Sequence, residues 1–73
     1  MKLSVIVERD ADGWYVATVS ELPGCHTQAK TLDDLMTRIR EAVDLYYEVE
    51  GFETDYQREF IGVQFLEVPT REP

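Results

Sequence analysis

The sequence predicts an α+β domain in which a small β-sheet is covered on one face by a single long helix. Three observations support this: short runs with apolar residues at every second position, a Pro-Gly corner, and one stretch with apolar residues three and four apart. Their order is β-β-β-α-β. If the first three strands form a meander and a right-handed crossover leads into the last, the result is a four-stranded mixed sheet of order 3-2-1-4.

The first two strands form a predicted hairpin. Leu3, Val5 and Val7 alternate with other residues in the pattern of a half-buried strand. Residues 10–13, Asp-Ala-Asp-Gly, are typical of a turn, and residues 14–19 are rich in aromatic and β-branched types. The short connection makes the two strands antiparallel neighbours.

A sharp corner at Pro23-Gly24 separates the hairpin from a third strand over residues 25–29. Proline fixes its own φ, and glycine permits a positive φ, so the chain can reverse there. The third strand is short and half polar.

The helix begins after Thr31, which is a favourable N-cap, with Asp34 three residues later as in a capping box. Gly51 is the predicted end. The apolar positions with helical spacing are Leu32, Leu35, Met36, Ile39, Ala42, Val43, Tyr46 and Tyr47.

After a polar connection over residues 51–59, residues 60–68 alternate again and predict a fourth strand, which Pro69 ends. We therefore expect one domain over residues 1–69 and a flexible tail at residues 70–73.

A chain of 73 residues is of marginal stability alone, and one cysteine allows no internal disulfide. Cys25 and His26 together supply too few ligands for a structural zinc site. Because one helix covers one sheet face and both faces carry apolar residues, we expect a homodimer or higher homo-oligomer. It would shield the second face or join edge strands.

The formal net charge is −8. This charge opposes direct binding to nucleic acid and favours basic protein partners, although it serves solubility equally well. The N-terminus has no signal-peptide pattern, and no apolar run is long enough to span a bilayer. A cytoplasmic protein that does not bind membranes is the expectation.

Two groups of residues invite a catalytic interpretation. Cys25 and His26 are neighbours on a strand and so point to opposite faces, which separates a thiol from its base. Glu8, Asp10 and Asp12 lack the spacing of a calcium loop and have an ordinary role in a turn. We expect no catalytic residue, no metal and no cofactor.

Several motifs in order resemble those of HicB-like antitoxins over about residues 3–47. They are Gly-Trp-Tyr-Val-Ala at 13–17, Glu-Leu-Pro-Gly-Cys-His-Thr-Gln at 21–28, Thr-Leu-Asp-Asp-Leu at 31–35 and Ile-Arg-Glu-Ala-Val at 39–43. The resemblance implies a partial ribonuclease H-like domain that binds and occludes a small basic HicA-like toxin. That toxin resembles a double-stranded-RNA-binding domain and cuts mRNA with a histidine.

The chain departs from the family pattern at Ala29-Lys30, where Gly and an acidic residue are common. We also expect no DNA-binding domain after the last strand, and therefore no direct DNA contact. We expect a partner-binding surface at Asp10, Asp12, Trp14 and Glu21. Two alternatives stay open: an orphan non-catalytic homo-oligomeric scaffold, and a metal-dependent nuclease.

Overall fold

The computed structural model describes residues 2–51 and 58–70. In these residues the elements are β1 (Val5–Arg9), β2 (Tyr15–Val19), β3 (His26–Ala29) and α1 (Leu32–Glu50). The strands form a three-stranded antiparallel sheet of order β1-β2-β3. The meander and the helix lie where the sequence patterns predict them.

The register of the sheet decides which side chains share a face. Val7 pairs with Ala17, and Ala17 pairs with Thr27. Directly paired residues of an antiparallel ladder point to the same side. Ala17 and Val19 are buried beneath α1, so the odd-numbered residues of β1, β2 and β3 face the helix. The even-numbered residues form the helix-free face.

A turn at the Pro-Gly corner brings Leu22 into the core. The Cys25 N–H donates to the Leu22 carbonyl at 3.0 Å, and Gly24 has a φ of +84°. This positive φ suits glycine, as at the third position of a type II turn. The buried core consists of Ala17, Val19, Leu22, Cys25, Ala29, Leu35, Ile39 and Tyr47.

The helix has defined caps at both ends. The Thr31 hydroxyl accepts a hydrogen bond from the Asp34 N–H at 3.1 Å, as the capping pattern predicts. The Gly51 N–H donates to the Tyr47 carbonyl at 2.7 Å, with φ at +83°. Leu35 and Ile39 are buried against the sheet, so the helix is fixed by packing as well as by its caps. No helix within the described ranges has the length and apolarity needed to cross a bilayer.

The predicted four-stranded mixed sheet of order 3-2-1-4 is wrong. Residues 60–68 form no strand, and their apolar side chains are exposed. The alternation shows which side chains share a face, but a strand also needs a partner ladder, and β1 has none on its outer edge in the described residues. The partial ribonuclease H-like topology, which required the fourth strand, is lost with it.

Two sequence expectations fall partly on residues that the structure does not describe. The predicted polar connection over residues 51–59 includes residues 52–57, and the predicted tail includes residues 71–73. These positions lie outside the described residues.

Candidate functional site: the β1–β2 hairpin end

The loop between β1 and β2 is held by the side chain of Asp10. Its Oδ1 accepts hydrogen bonds from the Asp12 N–H at 2.9 Å and from the Trp14 N–H at 3.0 Å. The Asp10 N–H donates to the Trp14 carbonyl at 2.9 Å, and Gly13 has a φ of +86°. One carboxylate oxygen of Asp10 thus fixes the loop. The Asp12 side chain lies exposed at its tip.

Trp14 lies directly before β2, on the helix-free face of the sheet. The Lys30 ammonium sits 5.0 Å from the centroid of its ring, within cation–π range. This contact was not anticipated from the sequence. The signal that could have found it is the meander register, because Tyr15 pairs with Ala29 and the next pair outward is Trp14 and Lys30.

The contact with Lys30 gives the departure from the family pattern at residues 29–30 a structural role. Lys30 covers part of the indole, and Trp14 is half-buried. An aromatic ring held in this way is a suitable anchor for a protein interface, since it loses little side-chain entropy on binding.

Glu21 lies at the opposite end of the sheet. Its Oε1 accepts a hydrogen bond from the Ser4 N–H at 2.7 Å, and the Ser20 N–H donates to the Ser4 carbonyl at 3.0 Å. The strand between Ser4 and Asp10 has a length of about 20 Å. The structure therefore places Asp10, Asp12 and Trp14 together but separates Glu21 from them.

The Glu21 carboxylate has a structural task at its own end of the sheet. Burial raises the pKa of Glu21. Hydrogen bonds from the Ser4 backbone, from the Ser4 side chain and from its own backbone lower this pKa, and together they outweigh the effect of burial. The net result is a pKa below the usual value. The charged carboxylate thereby holds the start of β1 against the corner after β2.

Cys25 is a core residue, 4% exposed. Burial raises the pKa of its thiol, which keeps the sulfur protonated and poorly nucleophilic. His26 is exposed, so the two neighbours occupy different environments. Nowhere in residues 2–51 and 58–70 do three or more His, Cys, Asp or Glu side chains gather in a group that could hold a metal ion.

The described residues thus combine a small antiparallel sheet, one helix, an acidic loop held by Asp10 and a tryptophan covered by Lys30. The sequence profile described as HicB-like antitoxin of bacterial toxin–antitoxin system matches residues 3–62. The chain belongs to this family. The match reaches beyond the motifs at residues 3–47 and includes the beginning of the segment after the helix.

Relatives of similar length support the assignment. A UPF0150 protein of Archaeoglobus fulgidus is 56% identical over 70 residues, which is 96% of this chain and 99% of the relative. A UPF0150 protein of Synechocystis is 43% identical over 82% of this chain and 84% of its own, and one of Thermotoga maritima is 32% identical over 92% and 89%. No solved structure matches the chain.

Family membership supports an antitoxin role in a toxin–antitoxin system, and hence a toxin as the general kind of partner. The family is named for neutralisation and not for a reaction, which favours a binding protein over an enzyme.

Proposed function

We propose that this protein neutralises a small basic HicA-like, mRNA-cleaving toxin by binding to it and covering its RNA-binding surface. The observation that carries the proposal is the family match over residues 3–62. The contacts would be made at the hairpin end, with Trp14 as the apolar anchor and Asp10 and Asp12 as the acidic groups.

Charge supports occlusion as the mechanism. A toxin that binds RNA must present cations to phosphates, and this chain carries a net charge of −8. Opposite net charges accelerate encounter, and local acidic groups then compete with phosphates for the same cations. No reaction is required of the antitoxin, and both proteins act in the cytoplasm, where the mRNA is.

The candidate residues would have different roles in the complex. Asp12 is exposed at the tip of a loop that Asp10 fixes, so its charge is presented without cost to the loop. Glu21 is about 20 Å away along the strand and is engaged by Ser4. We assign Glu21 a second, separate contact on the toxin, weaker than that of the hairpin end.

The test is the affinity for the purified basic protein encoded beside this chain's gene, measured by titration calorimetry. Asp12→Asn and Trp14→Ala are compared with Asp44→Asn, which removes the same charge from an exposed position on α1. We expect Trp14→Ala to weaken binding by at least tenfold, as at a hot spot, and Asp12→Asn to weaken it about three- to tenfold. Asp44→Asn should change it less than twofold.

If Asp12→Asn and Asp44→Asn weaken the affinity equally, the loss is due to net charge alone. The hairpin end is then not part of the interface. A neighbouring protein that is not basic, or that does not bind, would favour the orphan scaffold instead.

A further inference from the structure

Residues 60–68, here called the arm, expose more apolar surface than a finished domain leaves open. Ile61 is 85% exposed and Phe65 is 95% exposed. Val63, Leu66 and Val68 are also exposed. A contiguous apolar stretch of this kind marks an interaction surface.

A groove that fits an apolar strand runs beside β1. The helix packs mainly on β2 and β3, so the helix side of β1 is only partly covered. The resulting groove has a volume of about 330 Å³. Its lining residues are Leu3, Val5, Met36, Ile39, Arg40 and Val43.

The outer edge of β1 bounds this groove. β1 pairs with β2 on one edge, and on the other edge no strand of the described residues pairs with it. An unpaired edge beside an apolar groove is a template for strand addition, because backbone hydrogen bonds and side-chain burial form together. Val7, on the same face, is still 45% exposed.

The arm has the pattern that such an edge requires. Ile61, Val63 and Phe65 would lie on one face of an extended strand, and Glu67 is next on that face. The groove contributes one cation, Arg40, of opposite charge to Glu67. Nine residues extend about 30 Å, which is longer than the whole of β1.

We propose that the arm of one copy adds to the β1 edge of a second copy, with Ile61, Val63 and Phe65 in its groove, and that the exchange is reciprocal. The protomer's own arm is exposed and so does not fill its own groove. The sheet of each chain stays three-stranded, and the added strand belongs to the partner. In a two-fold exchange each arm occupies the groove of the other copy, so the assembly is a closed dimer.

The first test is the mass of the full-length protein at micromolar concentration by analytical ultracentrifugation. We expect a dimer, and we expect Phe65→Asp to shift the mass towards the monomer. Gln64→Asp is the control, since it adds the same charge on the opposite face of the arm and should leave the dimer intact. A monomeric wild type, or equal effects of both variants, overturns the proposal.

The second test asks which chain holds the arm. Val7→Cys and Val63→Cys are made singly and together, and treated with a short bis-maleimide that tolerates the unknown strand register. The wild type is the control for Cys25, which is buried. An equimolar mixture of the single variants should give a cross-linked pair of chains beyond what either gives alone.

A cross-link confined within the doubly substituted chain, with none in the mixture, would place the arm on its own domain and overturn the exchange. Neither test needs the toxin to support the proposal, so it stands or falls separately from the proposed function.

Discussion

At the scale of single residues, the hairpin end depends on one oxygen atom. Asp10 Oδ1 accepts two backbone N–H groups, from Asp12 and Trp14. Asp10→Ala removes the acceptor and should lower the free energy of unfolding by about 1 kcal/mol. The loss is small because the two freed N–H groups lie in an exposed loop and can donate hydrogen bonds to water. Asp10→Asn keeps a carbonyl oxygen in place and should cost less than half as much. Urea unfolding measures both, and equal losses would show that the charge matters and not the acceptor.

The lowered pKa of Glu21 predicts that this residue contributes to stability in a pH-dependent way. Its pKa in the folded protein lies below the unfolded value of 4.5. The stabilisation is therefore fully present above about pH 4.5 and is lost as the pH falls through the lower, folded value. Wild type should exceed Glu21→Gln in unfolding free energy at pH 7 by about 1 kcal/mol or less, since the pair is near the surface.

This difference should shrink towards zero as the pH falls from 4.5 through the lower pKa of the folded protein, below which the carboxyl is protonated in both states. Chemical unfolding at a series of pH values tests it. A gap between the two proteins that stays constant from pH 7 to pH 3 would contradict the assigned role of the carboxylate.

At the scale of elements, the Thr31 cap connects the sheet to the helix. Its hydroxyl satisfies the Asp34 N–H, which otherwise lacks an acceptor within the helix. Thr31→Ala should destabilise the protein by about 1 kcal/mol, and Thr31→Ser, which retains the hydroxyl, by much less. Thermal unfolding followed by circular dichroism at 222 nm compares them. Similar melting temperatures for Thr31→Ala and Thr31→Ser would show that the hydroxyl cap does not stabilise the protein.

The elements show what local sequence can and cannot predict. Thr31, Asp34 and the spacing of Leu35 and Ile39 predict the helix because its hydrogen bonds are local. The alternation at residues 60–68 predicted a fourth strand, but the structure shows no strand there and leaves these residues exposed. Alternation alone cannot predict pairing, because pairing depends on which edge is available to the segment.

The local part of the candidate site was also predictable from the sequence. Asp10, Asp12 and Trp14 are close in sequence, and a single turn brings them together. Glu21 was predicted to share their surface, yet the hairpin places it at the far end of the sheet. The Lys30 contact with Trp14 depends on the register of β2 and β3, which the composition of the strands does not determine.

At the scale of the whole molecule, a small domain combines a rigid acidic end with an incomplete apolar edge. In the two proposals, the hairpin end contacts the toxin, and the arm and the β1 groove contact a second copy. The net charge of −8 then acts over the whole assembly as a long-range attraction for a basic protein.

Neutralisation by occlusion can be tested in a purified system. The toxin and a labelled RNA are incubated with increasing amounts of this protein, and cleavage is followed on a denaturing gel. We expect cleavage to stop near stoichiometric amounts and the toxin to have lost its binding to RNA at that point. Cleavage that continues at a large excess of folded protein would contradict occlusion, as would loss of cleavage while RNA binding is unchanged.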